Sequence, residues 1–383
     1  MKVALVTGIC VPHDAISSAV VTQAEILSAQ PSITEVIVVS QFNGCVLPCA
    51  SYEISDPWQL VALFEDLGVE AAVFHFGIRY ELFNALWLLD GSTTSCAVHF
   101  HNVTPPPLAE EADRATLEQS VLQAQLMAAL NFPVWTFSDH NRAVLTEWGI
   151  AEERLQFVPL VIEAPRALRP RRHADVIRLL TVGRLVHAKG VHVLIDALAL
   201  LLDRGIVDFE LRVAGNAAFS STDYHDRITA QISQHGLGSR VHLVGQPSDD
   251  ELWALYEETD VVVSPSLHEG LCIPVIEGYV AGCRAIGTDA GNLPYVVCPP
   301  DKVARANDPE SLADVIETTL EEVRAARAGG ALPTNAIARQ MCEQFSRASA
   351  SRHLMHQLGK LRSTGASTTA PQATTAPRRD RAR

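Results

Sequence analysis

Aromatic residues are scarce in this 383-residue chain, at 6%, and positive charge is outnumbered. Lys and Arg total 30 against 44 Asp and Glu, a formal net charge of −14. No basic stripe interleaved with aromatics occurs, so non-specific nucleic-acid binding, which rests on cations meeting phosphates, is not expected. Long apolar runs are missing too. None approaches the ~20 residues that span a bilayer, and no transmembrane segment is expected. The opening residues 1–8 read as a short strand, too brief for the apolar core of a signal peptide. Eight cysteines, at 10, 45, 49, 96, 272, 283, 298 and 342, include no C-x-x-C pair. Several fall in apolar strands, which points to buried free thiols and a reducing, cytoplasmic setting.

Signature motifs of several enzyme classes are absent as well. The first strand is not followed by G-x-G-x-x-G, which counts against a nicotinamide dehydrogenase. Nor is there a G-x-S-x-G elbow of a Ser-His-Asp hydrolase. His, Cys and Asp residues show no zinc-ligand spacing, and no Asp-x-Asp pair stands out, so neither a metal nor a cofactor is expected.

What the chain does have is a 48% hydrophobic share and a length that suggests more than one core. Apolar strand candidates alternate with helical stretches from end to end, the pattern of parallel α/β sheets. The first half offers strands at 3–7, 36–40, 71–76, 96–100 and 134–138, with helices at 19–29, 57–67 and 110–129. Residues 161–175, rich in proline and arginine, read as a linker. A second set follows, with strands at 177–182, 209–214, 241–244, 261–264 and 284–288. The expected fold class is therefore α/β, as two doubly wound Rossmann-like domains facing a cleft, with ligand at the carboxyl ends of the strands. The divisions are 1–165, 166–335, a helix at 336–361 and a disordered tail at 362–383 whose Ser, Thr, Ala and Pro have little to bury.

The most informative segment is Glu269-Gly270-Leu271-Cys272-Ile273-Pro274-Val275-Ile276-Glu277, which follows the strand at 261–264. Pro274 suits the first turn of a helix, where φ is already set and no N–H is needed. Residues 270–273 then form a tight loop that aims free backbone N–H groups and a positive dipole end at an anion or sugar hydroxyl. Glu269 precedes that cradle and Glu277 is placed in the first helical turn. Arg184 and Lys189 form a second charged element where the strand at 177–183 turns into the helix at 191–202. A guanidinium can bridge two phosphate oxygens, and an ammonium adds a compact second charge.

This run resembles the E-x7-E motif of family-four retaining glycosyltransferases, which have the GT-B fold. Leu180-Thr181-Val182-Gly183-Arg184-Leu185 with Lys189-Gly190, and Arg240-Val241-His242-Leu243-Val244-Gly245, resemble the strands of that family's nucleotide domain. His101-Asn102-Val103-Thr104-Pro105-Pro106 resembles an HNITPP signature from a bacterial branch, and the Ala- and Arg-rich composition suits a bacterium. The resemblance implies that Arg184 and Lys189 grip the diphosphate, that Glu277 binds the ribose, and that Glu269 contacts the donor sugar. The backbone of Gly270, Leu271, Cys272 and Ile273 would lie beside it, and no metal would be needed. It also implies that the final helix crosses back onto the first domain.

His99 and His101 bracket Phe100 at a strand end and are expected on opposite faces, with His101 chosen as the donor-sugar contact and a structural histidine its rival. Where relatives carry a paired-glycine loop after the first strand, this chain has Val11-Pro12-His13-Asp14-Ala15-Ile16-Ser17-Ser18. Ser138 and Asn141 read as helix-capping or ligand residues. The functional expectation is a retaining glycosyltransferase moving a hexose or aminohexose from a nucleoside-diphosphate sugar to an acceptor hydroxyl, in antibiotic or cell-envelope glycan synthesis. The alternative is a pseudo-glycosyltransferase that binds the nucleotide sugar or supports a partner subunit.

Overall fold

The computed structural model describes residues 1–164, 167–169, 176–215, 222–329 and 336–367. The first half contributes β1 (Lys2–Val6), β2 (Ile9–Cys10), β3 (Glu35–Ser40), β4 (Phe42–Asn43), β5 (Ala50–Glu53), β6 (Ala71–Phe76), β7 (Ser95–Phe100), β8 (Val134–Thr136) and β9 (Leu155–Phe157). Seven of these form one parallel sheet in the order β5-β3-β1-β6-β7-β8-β9, while β2 and β4 pair separately. The second half contributes β10 (Ile177–Val182), β11 (Phe209–Ala214), β12 (Val241–Gly245), β13 (Val261–Val263), β14 (Arg284–Thr288) and β15 (Lys302–Ala304). They make a six-stranded sheet ordered β12-β11-β10-β13-β14-β15.

Central strands such as Ala71-Ala72-Val73-Phe74-His75-Phe76 are buried along their whole length because helices cover both faces. That double burial is why continuous apolar runs marked them. β5, β9 and β15 are short edge strands with exposed or half-exposed residues, and no such run betrayed them. In the first sheet the strand order reverses direction between β1 and β6; in the second it does so between β10 and β13. Loops leaving adjacent strands diverge at such a point and open a crevice at the carboxyl ends.

The two sheets meet across an apolar seam. Ala19, Phe137, Leu160 and Ile162 from the first half pack with Leu271, Val275 and Tyr279 of the second. The expected linker thus begins inside a core: the Ile162 N–H donates to the Phe345 carbonyl at 2.9 Å. Its residues 165–166 and 170–175 lie outside the described residues.

After the helix Ala336–Gln344, the helix Arg347–Ser367 returns to the first sheet. Ala350, Leu354, Leu358 and Leu361 follow helical spacing, and all four are buried against Val3, Leu5 and Val73. This helix runs to Ser367, so the tail expected from residue 362 begins as helix, and residues 368–383 lie outside the described residues. Leu358→Ala should cost about 2–5 kcal/mol of folding free energy, as deletion of a fully buried leucine side chain does. Urea unfolding checks this; a change near zero would mean that the helix does not hold the first domain.

Candidate active site

At the crevice of the second sheet, β10 runs out through Gly183 to Arg184, and a short 3-10 turn, His187–Lys189, leads into the helix Val191–Asp203. Gly190 joins them at φ 65°, and a Cβ there would fall 2.0 Å from the Pro265 carbonyl. Only glycine permits this approach of the β10 loop to the β13 loop. The result is a contact between charges. Lys189 Nζ donates to Glu269 Oε1 at 2.7 Å, and Ser266 Oγ donates to the same oxygen at 2.7 Å. Glu269 is 8% exposed. Its backbone is held as closely, with the Asn292 N–H on its carbonyl at 2.9 Å and Gly291 at φ 56° packed against it. Arg184 is exposed at the same strand end and forms no ion pair among the described residues. With Thr181, Ser264 and Ser266, Arg184 and Lys189 line one pocket.

Beyond Glu269 the chain turns through Gly270 and Leu271 to Cys272, which stands at φ 71° as the N-cap of the helix Ile273–Val280. A left-handed conformation is rare for a residue with a side chain and stores of order 1–3 kcal/mol. It starts that helix three residues after Glu269, with Pro274 in the first turn. Burial pushes the Cys272 thiol up to about 12, so it stays protonated and donates to Ser264 Oγ at 3.3 Å.

Glu277 corrects the sequence expectation. It is the fifth residue of Ile273–Val280 and so lies on the second turn, not the first. Its Oε2 accepts from the Tyr256 hydroxyl at 2.6 Å. Burial raises the Glu277 carboxyl above its ordinary range, and the Tyr256 hydrogen bond opposes that rise.

The first domain faces this helix start through the segment after β7. Asn102, at φ 81°, caps its own loop by accepting from the Val103 N–H at 2.8 Å. Its Nδ2 donates across the domains to His268 Nε2 at 2.7 Å. A Cβ on Gly270 would fall 2.7 Å from Asn102 Cβ, so this crossing needs glycine. Burial pushes His268 down to about 4, which leaves it a neutral acceptor. The expectation that His99 and His101 point to opposite faces is wrong. Residues two apart on a strand share a face, and the two rings lie 4.8 Å apart. His75 on β6, which the sequence did not single out, joins them, its Nδ1 3.0 Å from His101 Nε2.

The loop at 11–18 is tied down locally. Asp14 Oδ2 accepts from both the N–H and the hydroxyl of Ser17 at 2.8 Å. Ser138 caps its helix by accepting from the Asn141 N–H at 3.1 Å, the capping reading of that pair.

Comparison with known proteins fits this geometry. Residues 169–329 match the family model described as glycosyl transferases group 1. Among solved structures, a sucrose-phosphate synthase from Thermosynechococcus elongatus superposes with a TM-score of 0.78 at 18% identity, covering 95% of this chain and 100% of that one. Anabaena HepE in complex with UDP gives 0.72 at 17%, covering 94% and 100%. The fold is GT-B. Among curated relatives, an MMP alpha-(1->4)-mannosyltransferase of Mycolicibacterium hassiacum is 32% identical over 46% of this chain and 40% of its own length. A 2-deoxystreptamine glucosyltransferase of Streptomyces kanamyceticus is 28% identical over 51% of this chain and 54% of its own. The chain thus spans about half the length, or less, of these curated relatives.

Within the GT-B cleft, the structure brings Lys189, Glu269 and the 270–273 loop together and sets Glu277 one turn deeper on the same helix. Tyr256 was missed because its signal, one aromatic in an amphipathic helix, is that of any core residue. Removing its hydroxyl should raise the Glu277 carboxyl further. A carboxyl whose folded pKa exceeds its unfolded value lends stability at low pH that is lost as pH rises through the folded value. The stability deficit of Tyr256→Phe should therefore grow from mildly acid to mildly alkaline pH, toward the about 1–3 kcal/mol of an unsatisfied buried group. Chemical denaturation at the two pH values reads it, and a pH-independent deficit would remove Tyr256 from control of Glu277.

Proposed function

We propose that this chain is a retaining glycosyltransferase that moves a hexose or aminohexose from a nucleoside diphosphate to an acceptor hydroxyl. One observation carries the reading: Lys189 and Glu269 share a hydrogen bond at the strand-order reversal of the second sheet, just before the start of the helix Ile273–Val280. An ammonium has three donors, so Lys189 can hold Glu269 and a phosphate oxygen together. Arg184, exposed at the same mouth, is free to take two phosphate oxygens.

As the bond from sugar C1 to the β-phosphate oxygen breaks, its electron pair stays on that oxygen. The two cations and the helix N–H groups face the growing charge. The acceptor hydroxyl forms the new bond to C1 from the face the phosphate leaves, and its proton passes to the departing oxygen. No separate side-chain base is required. Glu269 contacts the sugar with His101 opposite, and the backbone of Gly270, Leu271, Cys272 and Ile273 lies between them. Glu277, one turn further, binds the ribose hydroxyls, with Tyr256 holding one of its oxygens. HepE crystallised with UDP and with UDP-glucose makes UDP-sugars the first donors to try, and the 2-deoxystreptamine glucosyltransferase suggests an aminocyclitol among the acceptors.

The protein incubated with UDP-, GDP- and dTDP-sugars in excess EDTA should release sugar slowly from at least one, and Lys189→Ala should slow this by ~10²–10³. Tight donor binding without turnover, with or without an acceptor, would instead fit a non-catalytic nucleotide-sugar binder. Activity abolished by EDTA and restored by Mg²⁺ would overturn the metal-free mechanism.

The two glutamates should fail differently. Ribose contacts are alike in ground and transition states, so Glu277→Gln should raise KM and spare kcat, whereas Glu269→Gln should chiefly lower kcat. Steady-state kinetics with one donor separates them; a KM-only defect in both would take Glu269 away from the sugar.

A further inference from the structure

His75, His99 and His101 form a cluster that the proposed chemistry uses only at its outer member. Register places His75 of β6 beside His99 of β7, and His101 follows one residue past the strand end on the same face. His75 and His99 are 1% and 0% exposed. The Phe137 ring centre lies 5.4 Å from that of His101 and 5.7 Å from that of His99, and the Trp135 ring centre 6.1 Å from that of His99. Gln23 Nε2 meets His99 Nδ1 at 3.1 Å. Burial holds all three rings far below the ordinary histidine pKa, His99 at about 3, so the cluster is neutral.

A metal is one reading of such a group. Zinc–nitrogen bonds of about 2.0–2.1 Å would keep any two ligand atoms within about 4.2 Å of each other. The ring nitrogens here spread up to 4.8 Å, while His75 Nδ1 and His101 Nε2 already sit at hydrogen-bond distance. Hydrogen bonding therefore fits better than coordination.

Between two neutral rings one nitrogen must donate. His75 Nε2 has no hydrogen-bond partner. If His101 were the donor, that Nε2 would carry a buried unpaired N–H, rarer in proteins than an unpaired acceptor. His75 Nδ1–H must then donate to His101 Nε2, and the proton of His101 must lie on Nδ1, the other edge of the ring. We infer that His75 is a positioning residue that fixes His101 as the neutral Nδ1–H tautomer, presenting a single donor to an oxygen of the bound sugar. This rests on the proposed role of His101, since His75 itself touches no substrate.

Asn places its amide nitrogen where His has Nδ1, so His75→Asn keeps the donor that His75→Leu removes. In ¹⁵N-histidine spectra, with His101→Leu identifying the signals, His101 should be protonated at Nδ1 in the wild type and His75→Asn. In His75→Leu the proton should be distributed over both nitrogens. Donor hydrolysis should show kcat lowered about 10-fold in His75→Leu, the rate equivalent of one hydrogen bond, with KM little changed and kcat recovered in His75→Asn. Equal melting temperatures would separate this from unfolding. An unchanged tautomer in His75→Leu, or no recovery with Asn, would overturn the positioning role. So would stoichiometric zinc that accelerates the wild type and not His75→Leu. Full activity in His101→Leu would instead overturn the role of His101 while leaving the tautomer result standing.

Discussion

The hydrogen-bonded ion pair between Lys189 and Glu269 is the contact on which the cleft is built. Side-chain exposures of 26% and 10% put it between surface and core, where attraction is stronger than in bulk water. Removing one partner from such a setting is costly because the other charge is stranded. The surroundings are correspondingly fixed. Gly190 lets the β10 loop reach Pro265, Gly291 lets the following loop reach Glu269, and Thr288 Oγ1 donates to the Ser266 carbonyl at 2.5 Å. Each of these supports a neighbour of one carboxylate. Strand order sets the contact in the first place, since β10 and β13 are adjacent in the sheet yet lead to helices on different sides.

The second constraint is the seam between domains. Its centre is apolar, with Phe137, Leu160 and Ile162 against Leu271, Val275 and Tyr279. Polar contacts at its rim join the same elements that carry the site: Asn102 to His268, and the His140 N–H to Asn292 Oδ1 at 3.4 Å. Because the 270–273 loop belongs to that seam, burial of apolar surface between the domains also brings the Asn102 loop against His268 and Gly270. The returning helix Arg347–Ser367 adds to this by packing on the first sheet while the Phe345 carbonyl binds the linker.

Much of this could be read from the residues. Continuous apolar runs fixed the central strands because both sheet faces are covered, and spans such as 71–76, 177–182, 209–214 and 284–288 match the observed strands residue for residue. Pro274 marked its helix start because a missing N–H is harmless there. What failed did so for identifiable reasons. The edge strands β5, β9 and β15 are too short and too exposed to show a run. Glu277 was placed in the first turn because Ile273 was left in the loop; the helix begins at Ile273, one residue earlier, which carries Glu277 onto the second turn. His99 and His101 were assigned opposite faces against the two-residue period of a strand, and the error hid the cluster they form with His75.

The sequence by itself determined the alternation of strands and helices, the two sheets, and the local chemistry of the 269–277 segment, all of which depend on neighbours in the chain. Tertiary structure decided which distant side chains share atoms. Lys189 and Glu269 are 80 residues apart, and Asn102 and His268 are 166 apart. Tyr256 meets Glu277 only because their helices pack in one layer. His75 meets His101 only because β6 and β7 pair in a particular register. Such contacts are set by strand order, register and close approaches at glycine, and these follow from burying both faces of a sheet at once rather than from any short pattern of residues.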